Sequence, residues 1–141
     1  MGKGAAMNEQ ENTRLVMQAY EKFGKGDIAG VLELCTEDIE WKLDDTDNMP
    51  FSGMRRGKEE VAQFFRLLAE SQIALQFEPR EYVAQGDKVV ALGHSVWSVK
   101  STHRQFETDW AEVFTLRDGK IARFREFADT AAAAAAYWPS T

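Results

Sequence analysis

The sequence predicts an α+β fold in which an antiparallel sheet is covered on one face by helices. Two observations carry this. Apolar residues recur at helical spacing through most of the first half, and from about residue 74 to residue 128 they alternate with a period of two, in runs separated by short turns. Helices first and a strand meander afterwards is the pattern of an α+β domain.

Each element follows from local chemistry. Residues 1–8 are Gly, Ala and polar, an N-terminal segment expected to be disordered ahead of a single domain spanning 9–138. Val16, Ala19, Tyr20 and Phe23 mark a helix from about Glu9 to Phe23. The stretch "GKGD" at 24–27 ends it and offers Asp27 as the cap of a second helix carrying Ile28, Val31, Leu32 and Cys35. "IEWKL" at 39–43 alternates as a strand, and 44–57, with its Pro, Gly, Asn and Asp, reads as a loop. Val61, Phe64, Phe65 and Leu68 form one stripe of a helix at 58–71, whose first-turn acids suit the helix dipole. Four strands follow, with turns at Gly86-Asp87, near Ser101–His103 and at Asp118-Gly119. "DTAAAAAAYW" at 129–138 predicts a terminal helix begun by Asp129 or Thr130, since alanine is the best helix former.

Composition narrows the function. With 17 Lys and Arg against 23 Asp and Glu the net charge is −6, which disfavours nucleic acid and anionic membranes as partners. No apolar run is long enough to span a bilayer, so a soluble, cytoplasmic protein is expected. Cys35 is the single cysteine, which fits a reducing compartment. No glycine-rich phosphate loop follows a strand, and two histidines without a ligand motif give no metal signal, so neither cofactor nor metal is expected.

Two glutamates stand out. In the last strand Ala122, Phe124, Glu126 and Ala128 share one face and Arg123 and Arg125 the other. In the strand before it Phe106, Trp110, Glu112 and Phe114 share a face, so Glu112 and Glu126 both point inward. A two-residue turn would set Glu112 opposite Arg125. A three-residue loop, Arg117-Asp118-Gly119, joins the apolar faces instead, placing Glu112 opposite Phe124 and the two carboxylates diagonally, roughly 7–8 Å apart at the backbone. Two acids in one aromatic hollow repel and are desolvated, so one should hold a proton near neutral pH, as acid/base chemistry requires.

"YEKFGKGDIAGVLELCTEDIEW", the Phe51–Phe65 segment and above all "FETDWAEVFTLRDGKIARFREFADTAAAAAAY" resemble the SnoaL-like, ketosteroid-isomerase-related branch of the nuclear transport factor 2-like superfamily. The resemblance covers about residues 9–138. It implies a cone-shaped, strongly curved sheet (cystatin-like) around the helices, a deep apolar pocket, and a homodimer across the outer face. By the same resemblance, the oxyanion-hole acid of the steroid isomerases falls at Glu112 and their oxyanion-hole tyrosine at Ala19 or Tyr20. The first-strand base falls at Leu43 and is therefore missing, whereas an inward acid of the limonene epoxide hydrolases falls at Glu126. The expected function is cofactor-free acid/base catalysis of isomerase, cyclase or dehydratase type on a small apolar carbonyl compound. Glu126, Glu112 and Tyr20 are its catalytic candidates; His94, Trp110, Phe124, Trp41, Phe64 and Trp97 are candidate pocket walls. The alternative is a non-catalytic pocket or dimerisation module of the same fold.

Overall fold

The computed structural model describes residues 8–139. Its elements are α1 (Glu9–Gly24), α2 (Ile28–Glu33), β1 (Cys35–Leu43), β2 (Gly53–Arg56), α3 (Gly57–Ser71), β3 (Gln72–Gln85), β4 (Lys88–Val99), β5 (Gln105–Arg117), β6 (Lys120–Ala128) and α4 (Thr130–Tyr137). The disorder expected over 1–8 falls on 1–7 outside the described residues. Asn8 corrects it at the boundary, because it caps α1: its side chain accepts from the Glu11 N–H while the Glu11 carboxylate accepts from the Asn8 N–H, a reciprocal box that satisfies two otherwise orphaned donors.

The strands form one six-stranded sheet in the order β2-β1-β6-β5-β4-β3. From β3 to β6 it is the antiparallel meander that the alternation predicts, while β1 lies parallel to β6, so the sheet as a whole is mixed. Within the expected loop 44–57, Gly53–Arg56 pairs with β1 as a short edge strand. Four residues, two of them arginine, leave too little alternation to read. Cys35 opens β1 instead of ending a helix, yet it is fully buried as expected, and burial pushes its thiol up to about 11.

Bulges bend the sheet. Beta-3 carries two of them, between Ala74 and Gln76 and between Pro79 and Glu81, and the β1–β6 pairing carries another; each extra residue kinks its strand and adds twist. The concave side receives α3, packed on β1 through Val61, Phe64, Phe65 and Leu68, and α1, packed on β3 and β4 beneath Leu15, Val16 and Ala19.

The β5–β6 hairpin corrects the expected register. Arg117 pairs with Lys120 across a two-residue turn in which Asp118 (φ 53°) and Gly119 (φ 76°) are both left-handed, the conformation that Asp-Gly favours in hairpins. The bulge sits further in, where Leu116 pairs with Ile121 but Thr115 with Arg123, so Ala122 is the extra residue. That slip restores the match of apolar faces and sets Glu112 directly opposite Glu126 and Phe114 opposite Phe124. It also buries Ile121, which strict alternation places on the outer face.

Parity in β4 is corrected as well. Val89, Ala91, Ser95 and Val99 face the core, so His94 lies on the outer side with Val90, Leu92 and Val96. Position 93 shares the core-facing side and is glycine, since a Cβ there would collide with the Trp110 indole and the Glu78 carbonyl oxygen.

Candidate functional site

The concave face and its helices enclose a cavity of about 110 Å3, room for several waters or a slender organic molecule. Its floor is aromatic. Trp41 stacks on Phe124 at 3.9 Å between ring centroids and meets Phe64 at 5.6 Å, a pairing set by the Trp41–Phe124 register of β1 and β6. Trp97 closes another part of the wall beside Phe77, at 6.1 Å. Trp41, Phe64, Phe124 and Trp97 therefore line the cavity as expected from sequence.

Two expected wall residues do not. Trp110 points inward and is buried, but it lies beneath Phe77, ring on ring at 5.1 Å, outside the cavity lining. His94 is on the convex face, where Nδ1 meets Asp109 at 2.8 Å and Nε2 meets Glu107 at 3.0 Å. The sequence misleads there because around His94 the inner face of β4 carries only the small Ala91, Gly93 and Ser95, whereas Leu92 and Val96 sit on the outer face with it.

Glu112 and Glu126 both line the cavity, and Tyr20 reaches them from α1. The Tyr20 hydroxyl donates to Glu112 Oε1 at 2.6 Å, and the Glu112 carboxyl faces that of Glu126, its direct partner across β5 and β6. Burial pushes Glu112 well above the usual carboxylate range; its hydrogen bond and charge repulsion with Glu126 push the same way, against a smaller lowering by Tyr20. Glu126 is also raised, first by desolvation and then by the Asp44 charge, but its bond to Glu112 pulls it down. Both carboxyls are thus raised, and the pair keeps a shared proton. Burial above all keeps the Tyr20 phenol protonated. The result is a chain in which Tyr20 donates to Glu112 and the two carboxyls share a proton, leaving one carboxylate able to accept a proton at the cavity.

Several wall residues are missing from the sequence reading. Asp44, Thr46, Met49 and Phe51 come from the loop after β1, and Asp129, Thr130 and Ala133 from the start of α4. Asp44 is held by Arg125 at 2.7 Å, so the acid next to the vacant first-strand position is tied into an ion pair. Thr108 shares the inward parity of Glu112 and was legible on that ground. Ser95 and Gln72 had no such signal. Among the described residues no group of three or more His, Cys, Asp and Glu side chains could hold a metal ion, and no helix is long and apolar enough to cross a membrane.

The sequence pattern of the SnoaL-like domain matches residues 16–124. The chain belongs to that family. Solved structures agree with this assignment for the SnoaL-like chain: an NTF2-like protein from Burkholderia xenovorans LB400 is 37% identical, with 94% of this chain and 99% of that one covered and a TM-score of 0.86. TerC, co-crystallized with polyporic acid, is 26% identical over 90% of this chain and 98% of its own, with a TM-score of 0.79. A Xanthomonas campestris pv. campestris protein provisionally designated a polyketide cyclase is 21% identical, with 93% and 99% covered and a TM-score of 0.75, a likeness of fold. No curated protein matches the SnoaL-like chain significantly.

Proposed function

We propose that the cavity is a cofactor-free acid/base site for a small, mostly apolar carbonyl compound. The observation that carries this reading is the chain Tyr20–Glu112–Glu126 ending at an apolar cavity. Glu126 takes a proton from the carbon next to the carbonyl, the C–H electrons move into an enolate, and the negative charge leaves Glu126 for the substrate oxygen. Glu112 then no longer faces a carboxylate, and its O–H is free to turn to that oxygen, with Tyr20 still donating to it. Isomerase, cyclase and dehydratase outcomes differ in what the enolate does next. TerC, with polyporic acid as its co-crystallized molecule, supports a cavity that admits an organic ligand.

The test is proton exchange. Incubated with 2-tetralone in D2O, the wild type should speed deuterium uptake beside the carbonyl, and Glu126→Gln should remove the acceleration. A second reading, a non-catalytic binding pocket, is favoured by Leu43, an apolar side chain where the resemblance places the steroid isomerases' base. Saturable binding of 2-tetralone without exchange would select it.

The same reading includes a cytoplasmic homodimer. Phe127 is half-exposed on the outer face beside Arg125, whose guanidinium lies 4.6 Å from the ring centroid, and Ala111 and Val113 continue the patch between Glu107, Asp109 and Arg123, a mixture of apolar area and opposite charges that suits a two-fold interface. Ile121 is not part of it, being buried. Sedimentation at tens of micromolar should show a dimer of the 16.0 kDa chain; a monomer would contradict it.

A further inference from the structure

The cavity has a second polar pole away from the carboxylates. Gln72, the first residue of β3, lines the cavity and is only 6% exposed. Its Oε1 accepts from the Tyr137 hydroxyl of α4, which fixes the orientation of the amide. The amide nitrogen, with its two N–H donors, makes no hydrogen bond among the described residues, and unlike the orphaned indole nitrogens of Trp41 and Trp110 it is not sealed inside protein. Tyr137 is itself buried against Phe106 at 6.5 Å, and its phenol is raised by burial, so it remains a donor and keeps the amide turned.

A donor held in one orientation at the cavity, with no partner in the protein, is placed to pair with an oxygen acceptor that a ligand brings in. The pairing places this donor far from the acids. Gln72 lies opposite Val99 on β4, whereas Glu112 lies opposite Ala91, eight residues along the strand and roughly 25 Å if it were straight; curvature shortens the chord. From this we infer that Gln72, oriented by Tyr137, is a ligand subsite that binds an oxygen acceptor, a carbonyl or ether oxygen, on the end of the ligand remote from the reacting carbonyl. The subsite assigns the ligand class: elongated, apolar along its middle, with oxygen at both ends. This rests on the reading of the cavity as a pocket for apolar carbonyl compounds.

The probes are 6-acetyl-2-naphthol and 6-ethyl-2-naphthol, nearly equal in shape and differing in one carbonyl acceptor. The wild type should bind the acetyl compound about 5–10-fold more tightly, the worth of one hydrogen bond to an otherwise unpaired donor. Gln72→Met, which keeps the volume and deletes the donor, should bring the ratio close to one, and Tyr137→Phe should reduce it by releasing the amide. In the wild type, independently of any variant's folding, the side-chain amide resonances of Gln72 should shift with the acetyl probe and stay in place with the ethyl one. Equal wild-type affinities, or a preference that survives in Gln72→Met, would overturn the subsite and leave the pocket reading standing. Failure of both probes to bind would overturn the pocket reading and the subsite with it.

Discussion

Strand β5 carries acids on both faces, and the two sets behave in opposite ways. On the outer face Asp109 and Glu107 hold His94, one at each ring nitrogen. On the inner face, three residues further along β5 from Asp109, Glu112 meets another acid and a phenol. The outer acids are exposed, so water and the imidazolium share their charge; His94 is raised first by its bond to Asp109, with Arg80 opposing from β3. The inner acids face each other in a mostly apolar cavity that desolvates both, so the pair retains a proton. One residue type thus yields a surface ion cluster or a carboxyl pair that keeps a proton, according to which side of the sheet it faces.

The largest effect tests the inner cluster. Glu126→Gln should lower proton exchange by about 10²–10⁴-fold, the usual worth of a positioned base. A raised carboxyl is stabilising while protonated, so the wild type loses stability as pH rises from the unfolded carboxylate value of about 4.5 through the higher folded value. Glu126→Gln lacks that loss and should melt no lower than the wild type at pH 8, whereas a structural ion-pair role would make it melt well below.

Next comes the wall between the faces. Gly93→Val forces a side chain into the Trp110 indole and the Glu78 carbonyl, and overpacking of this kind should cost about 1–3 kcal/mol in chemical denaturation. An unchanged midpoint would show that the indole can move aside.

Tyr20→Phe removes the donor to Glu112 Oε1. It should cost about 1–3 kcal/mol, the usual penalty for a buried group left unpaired, and should raise Glu112 further, because the bond from Tyr20 is what lowers it.

The smallest effect belongs to the outer cluster. His94 is raised above its ordinary value, so its contribution is complete below about 6.5 and fades as pH rises through the higher folded value. Melting curves from pH 6 to 9 should show this slight decline in the wild type and its absence in His94→Ala. Proton exchange should be the same in both, since His94 touches nothing in the cavity.

Much of this was legible in the chain. Period-two alternation gave the meander, and two acids on otherwise aromatic faces gave the carboxyl pair that lines the cavity. The register was not, because a bulge at Ala122 reverses the parity that a two-residue Asp-Gly turn sets; the expected three-residue loop matched the faces but paired Glu112 with Phe124 instead of Glu126. His94 was misplaced for a related reason. On a curved sheet packed against aromatic rings, the inner face of β4 needs Ala91, Gly93 and Ser95, so residue size along that strand points the wrong way. Gln72 depends on a contact with Tyr137, 65 residues away in sequence, and no local pattern announces it.

The most direct measurement is the titration of the glutamate side-chain carboxyls by carbon-13 NMR, with Glu112→Gln and Glu126→Gln to assign the signals. Glu112 should remain protonated at pH 7, and Glu126 should ionise at lower pH than Glu112 yet above 4.5, moving down when Glu112 is replaced. Two carboxyls that both ionise near the usual glutamate value would contradict the shared proton and the acid/base site built on it.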